Sequence, residues 1–133
     1  MQRADRDETH ILDSIDAAVA LFQPRFEGAR AERLYVAHLD GASRMIGLFT
    51  REAEADGPVH FPLREIITEA LLIKTGELVL AHNHPSGNPE PTAADRETTR
   101  TLVQVARPLG IGVRDHLIFA DGACVSFRER GLL

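Results

Sequence analysis

ELVLAHNHPSGNPEPTAADRETTRTLVQVAR, residues 77–107, is the stretch on which the fold turns. Glu77 to His82 is short and mostly apolar, so it reads as a strand. Prolines at 85, 89 and 91 forbid a helix in the loop that follows. From Thr92 a helix runs to Arg107, stopped by Pro108 and Gly110. On an extended chain alternate side chains share a face, so His82 and His84 point one way and Asn83 the other. The two imidazoles can therefore converge on one ion, and Asp95, further along, can close a third side. Nitrogen and oxygen donors suit zinc, and three protein ligands leave a fourth position open for water, as catalytic sites do. The same residues have plainer explanations. Two histidines at a strand end are often loop polar groups, and Thr92-Ala93-Ala94-Asp95 fits the capping box that opens helices. The readings of Asp95 as cap and as ligand are compatible, because a fixed first turn presents its carboxylate to the end of the strand.

Outward from that stretch, strands and helices interleave. Ile11, Ile15, Val19 and Phe22 form one stripe of a helix predicted over 7–23 and ended by Pro24. Arg33 to Leu39 (RLYVAHL) reads as a strand buried on both faces, and Asp40 to Ser43 as a turn leading to its antiparallel partner, Arg44 to Phe49. Residues 51–57, REAEADG, read as a solvated loop, followed by a short strand near Val59 to Phe61. Pro62 opens a helix whose stripe is Ile66, Ile67, Ala70, Leu71 and Leu72, ending at Thr75-Gly76. Ile111 to Phe119 and Ala123 to Phe127 form a hairpin turned at Asp121-Gly122. The expected fold class is α/β (α+β), with a partly antiparallel central sheet and helices packed against it.

The length of 133 residues and 44% hydrophobic content fit one globular domain. No window has the roughly 18 apolar residues of a membrane span, and the first ten residues do not resemble a secretory leader. The single cysteine, Cys124, makes neither an internal disulfide nor a thiolate cluster; a cytoplasmic location is expected, and any metal must rest mainly on nitrogen and oxygen. Fifteen Lys and Arg against 20 Asp and Glu give a net charge of −5, which opposes a broad nucleic-acid surface. Arg96, Arg100 and Arg107, on or near one helix, leave a local basic groove open. The letters H-N-H also match a nuclease motif, but that motif spreads its residues over a longer ββα unit. H-E-x-x-H, the phosphate-cradling GxxxxGK[ST] loop and the GxSxG elbow are absent.

Taken together, HNHPSGNPEPTAAD, the preceding PLREIITEAL and the closing DHLIFADGACVSFRERGLL resemble the RadC-like bacterial branch of the JAB/MPN (JAMM motif) metalloprotease superfamily, from about Glu32 to Leu133. The resemblance implies a single-domain, cytidine-deaminase-like three-layer arrangement, here over residues 31–133, with residues 1–30 as an N-terminal helix and connection. It implies one zinc ion held by His82, His84 and Asp95, and an upstream glutamate as general acid/base. Glu32, at the start of the first core strand, best matches that glutamate. Glu65 is the competitor, but it lies in the first turn of a helix, where the macrodipole explains it. Thr92 stands where the family usually has serine, and keeps a hydroxyl to polarise a substrate oxyanion or to cap the helix. Asn88 and Glu90 replace a frequent aspartate and threonine. Larger RadC-like proteins carry an N-terminal helix-hairpin-helix region linked to DNA; the segment before Glu32 holds room for one helix, which weakens that association.

The expected function is a zinc-dependent metallopeptidase or isopeptidase acting on a peptide or protein substrate. The alternative is a non-catalytic or DNA-repair-associated interaction module that keeps the fold. His116 is a candidate to orient a ligand, against the plainer reading of a satisfied core histidine. His38 and His60 have the same status, and His10 is expected in solvent. A weak homodimer through the N-terminal helix is left open.

Overall fold

The computed structural model describes residues 1–3, 10–53 and 60–133. Six strands form one mixed sheet: β1 (Gln2–Arg3), β2 (Arg33–Leu39), β3 (Met45–Glu52), β4 (Glu77–Asn83), β5 (Gly112–Ala120) and β6 (Ala123–Ser126). Their order across the sheet is β1-β3-β2-β4-β5-β6. All neighbours are antiparallel except β4 and β5, whose parallel pairing is bridged by the long helix α3 (Ala93–Ala106). The other helices are α1 (Ile15–Phe26) and α2 (Leu63–Leu72). This is the expected α/β sandwich.

Alternation along the strands sorts the core into two layers. Tyr35, Ala37 and Leu39 of β2 and Val79 and Ala81 of β4 face α1, where they meet Leu21 and Phe22. Leu34 and Val36, with Leu78 and Leu80, face the opposite way, against Ile66 and Ala70 of α2 and Leu102 and Ala106 of α3. A fully buried leucine contributes roughly 1.5–3 kcal/mol, so both layers are strongly held. His82 shares the face of Leu78 and Leu80 and so meets α3, whereas Asn83 falls on the other. The apolar stripe of α1 is spent on the sheet, leaving Asp16, Ala20 and Pro24 exposed within the helix.

Four expectations of local structure need correction. The first helix starts at Ile15, capped by the Ser14 hydroxyl, which accepts from the Ala17 N–H. Of the earlier part of the predicted span, residues 7–9 lie outside the described residues, and Ile11 instead bridges Arg44. Pro24 does not end α1. It lies in the last turn and removes only the bond to the exposed Ala20 carbonyl, while Phe26 beyond it packs against Tyr35 and Phe119, with ring centroids 5.4 and 5.1 Å apart. The β3 strand runs on through Glu52 because the Leu34–Arg51 and Arg33–Glu52 pairs continue the ladder, so Arg51 and Glu52 belong to the sheet rather than a loop. His60 and Phe61 are not in a strand, and Val59 lies outside the described residues. The short β1 strand, which the sequence reading lacked, pairs with Phe49 and Thr50.

His38 is a satisfied core histidine on one side only. Its Nδ1 is 2.8 Å from the Thr75 hydroxyl, its ring meets Phe49 edge-on, and its Nε2 lies 3.9 Å from a Glu69 carboxylate oxygen. Burial, reinforced by the charge of Arg3, lowers its pKa to about 4. The folded state therefore prefers neutral His38. The stability this gives is fully present above the ordinary value of 6.5 and is lost as pH falls from there towards 4, a change of about 3 kcal/mol. Urea titrations between pH 7 and pH 4 are expected to show a shallower loss in His38→Asn than in the wild type. Equal slopes would remove His38 as the cause.

Candidate metal centre

The loop after β4 is built to aim imidazoles. The His84 N–H donates to the Phe119 carbonyl at 2.9 Å, prolonging the β4–β5 contact by one residue past the strand. The chain then turns at Pro85-Ser86, with the Gly87 N–H donating to the His84 carbonyl at 3.1 Å. Gly87 has φ 93, and a Cβ there would lie 2.5 Å from an Asp121 carboxylate oxygen, so only glycine fits. This turn returns the Asn88 carbonyl to 2.8 Å from His84 Nδ1. A carbonyl only accepts, so Nδ1 carries the proton and the Nε2 lone pair of the neutral ring faces inward.

At the start of α3, the Thr92 hydroxyl accepts from the Asp95 N–H at 3.0 Å, and an Asp95 oxygen accepts from the Thr92 N–H at 2.9 Å. The capping box is therefore real, and it delivers the carboxylate to the histidines. Asp95 oxygens lie 3.1 Å from His84 Nε2 and 3.4 Å from His82 Nε2, and the two Nε2 atoms are 3.0 Å apart. Burial alone would raise the Asp95 pKa, but the neighbouring imidazoles of His82 and His84, together with the Thr92 N–H, outweigh it and hold the carboxyl far below the usual carboxylate range. The Asp95 hydrogen bond conversely raises the His84 pKa against the effect of burial.

Glu32 completes the group. One of its carboxylate oxygens and a ring nitrogen from each of His82 and His84 lie within 4.8 Å of one another. The antiparallel register explains this: Leu34 faces His82, so Glu32, two residues earlier and on the same face, falls opposite His84. Its backbone is gripped from both sides. The Ala53 N–H donates to the Glu32 carbonyl at 2.9 Å. On the other side, the Asn83 side chain takes the Arg33 N–H at 2.7 Å and donates to the Ala31 carbonyl at 3.1 Å. Asn83 thus replaces the ladder bonds where β4 leaves β2. Sequence alternation shows only that Asn83 points away from the histidines; its clamp becomes visible once the β2–β4 register is known.

Glu65 lies elsewhere. It sits 3.4 Å from Arg51, and its own backbone N–H and that guanidinium lower its pKa. It does not line the cleft above the histidines. That cleft, about 510 Å³, is bounded by Glu32, Leu34, His60, Phe61, Pro85 and Thr92, with the histidines and Asp95 at its floor. Cys124 offers no thiolate to it, since burial pushes the thiol up to about 11. His116 is not an isolated core histidine: its Nε2 is 2.8 Å from His82 Nδ1.

The donor set fits a metal on two grounds. Both ring Nδ1 atoms are engaged away from the centre, and the Nε2 atoms and a carboxylate converge. Donors about 2.0–2.2 Å from a tetrahedral ion lie about 3.3–3.5 Å apart, close to the 3.0–3.4 Å separations seen here.

Comparison with known proteins agrees with the geometry. The profile of the RadC-like JAB domain matches residues 12–132, a span that includes α1. A UPF0758 protein of Symbiobacterium thermophilum is 39% identical over 88% of this chain and 50% of its own length. UPF0758 proteins of Xanthomonas euvesicatoria and Xanthomonas axonopodis are each 37% identical over 95% of this chain and 60% of theirs. The chain thus spans about half to three-fifths of the length of these relatives. Among the described residues, no helix is long and apolar enough to cross a membrane. With its mixed sheet, its His/Glu cluster at the end of β4 and a family match over nearly its whole length, the chain belongs to the RadC-like JAB domain family.

Proposed function

We propose that the chain is a zinc-dependent hydrolase cleaving an amide bond, a metallopeptidase or isopeptidase, with His82, His84 and Asp95 as the metal-holding residues. The observation that carries the reading is the convergence of three donors at 3.0–3.4 Å on the floor of an open cleft, with a fourth group, Glu32, beside them. A zinc ion bound there would supply Lewis acidity and would lower the pKa of a water to about 7. The chain's own residues do the rest. Glu32 takes the proton of the attacking water and returns it to the leaving amine. The Thr92 hydroxyl accepts its cap bond from Asp95 and retains its proton to donate to the developing oxyanion. Asp95 is preferred to Glu32 as the third ligand because its oxygens lie 3.4 and 3.1 Å from the two Nε2 atoms and are held in place by the helix cap.

The cleft walls favour an amide over a phosphodiester. Among the described residues lining it, none is Lys or Arg, while Leu34, Phe61, Pro85 and Ala94 supply apolar surface. A phosphate group would lack the cationic partners it ordinarily finds. The purified protein is expected to carry about one zinc per chain by elemental analysis and to cleave members of a peptide library, losing that activity on chelation and regaining it with zinc. Salt-dependent retention on DNA with no hydrolysis of any peptide would instead favour an interaction module.

A further inference from the structure

We propose that Thr99 and His116 form a one-directional hydrogen-bond relay that fixes the tautomer of His82, so that its Nε2 lone pair faces His84 and Asp95. The proposal rests on the metal-centre reading for its consequence, though not for its geometry. The Thr99 hydroxyl, fully buried, donates to the Asp95 carbonyl at 2.8 Å. A carbonyl has no proton to give, so the hydroxyl proton is committed there, and the Thr99 oxygen accepts from His116 Nδ1 at 2.7 Å. With its proton on Nδ1, neutral His116 presents a bare Nε2 to His82 Nδ1 at 2.8 Å. His82 must then carry its own proton on Nδ1 and keep Nε2 bare. Every member of the relay takes its direction from the one before it, and the first takes its direction from the backbone.

His116 is held rigidly enough to transmit this. Its ring stacks on Phe127 at 4.6 Å between centroids and 20° between planes. Its N–H donates to the Asp115 carboxylate at 2.7 Å, and its carbonyl accepts from the Phe127 N–H at 3.0 Å. The same Asp115 carboxylate takes the Ser126 hydroxyl at 2.6 Å and the Arg128 N–H at 3.1 Å, buckling the C-terminal segment under the histidine. The relay also ties the two sides of the centre together, since Asp95 supplies both its backbone terminus and a carboxylate at His82. Thr99 and His116 are positioning residues; nothing in the proposal requires either to touch substrate.

Long-range proton–nitrogen correlation spectra of the metal-free protein test the direction. Wild type is expected to show His82 protonated at Nδ1 and bare at Nε2. Thr99→Val keeps the shape and removes the acceptor, so His116 is expected to move its proton to Nε2 and force His82 into the opposite tautomer. Thr99→Ser is expected to restore the wild-type pattern. Zinc affinity by chelator competition should fall about tenfold to hundredfold in Thr99→Val and stay near wild type in Thr99→Ser. A wild-type His82 bare at Nδ1, or a His82 tautomer unchanged in Thr99→Val, would overturn the relay. If Thr99→Val does not fold, the wild-type spectrum alone decides the direction. Tautomers that behave as expected in a protein that takes up no zinc would retain the relay and remove the metal-centre reading.

Discussion

His84→Ala is expected to leave the purified protein nearly free of zinc. The ring supplies one of three converging donors, and its Nδ1 bond to Asn88 is what orients it. Apparent zinc binding of roughly 10–16 kcal/mol in a four-donor site assigns about 3 kcal/mol to each donor, or a loss of at least about a hundredfold in affinity. Removing the ring also takes away one of the groups that hold the Asp95 pKa down, which raises the carboxyl's pKa and makes it a poorer ligand. The loss should appear as metal content by elemental analysis, with circular dichroism unchanged because the Pro85–Gly87 turn and the His84 backbone bond to Phe119 do not need the ring. Full occupancy in the variant would exclude His84 as a ligand.

Glu32→Gln is expected to separate chemistry from binding. Glutamine keeps the size and much of the hydrogen bonding of glutamate but cannot shuttle a proton, so peptide hydrolysis should fall about 10²–10⁴-fold. Zinc content should stay near the wild-type value, because the proposed ligands, His82, His84 and Asp95, lie at the end of β4, in the loop after it and on α3. Glu65→Gln, altered in a residue paired with Arg51 away from the cleft, should retain wild-type turnover. Undiminished hydrolysis in Glu32→Gln would remove Glu32 as the proton shuttle. Loss of both turnover and zinc would make Glu32 a ligand instead.

The sequence discloses those parts of the molecule whose causes are local. The strand–loop–helix run from Glu77 to Ala106 follows from apolar alternation, prolines and a capping box, all readable within a few residues. His82 at the end of β4 and His84 just past it are two apart on an extended chain, and Asp95 lies in the first turn of the next helix, so their meeting also follows from local geometry. What is hidden depends on pairing between distant segments. The short β1 strand exists only because Phe49 and Thr50 lie beside it. Pro24 remains inside a helix because Phe26 has aromatic partners on β2 and β5. Thr99 stands four residues after Asp95 on the same helical face, but nothing in the sequence singles it out. Its link to His116 needed the β4–β5 register.

The Asn83 clamp and the β2–β4 ladder have a consequence for folding. A slip of one residue in that pairing would send Glu32 to the face of α1 while His82 stayed beside α3, because side chains on a strand alternate. Asn83 makes such a slip costly, since its two bonds to Ala31 and Arg33 exist in one alignment alone. The complete four-residue centre therefore forms only when the sheet has closed correctly, and a chain trapped in a wrong alignment would lack it. The geometry of the site is thereby tied to correct closure of the sheet.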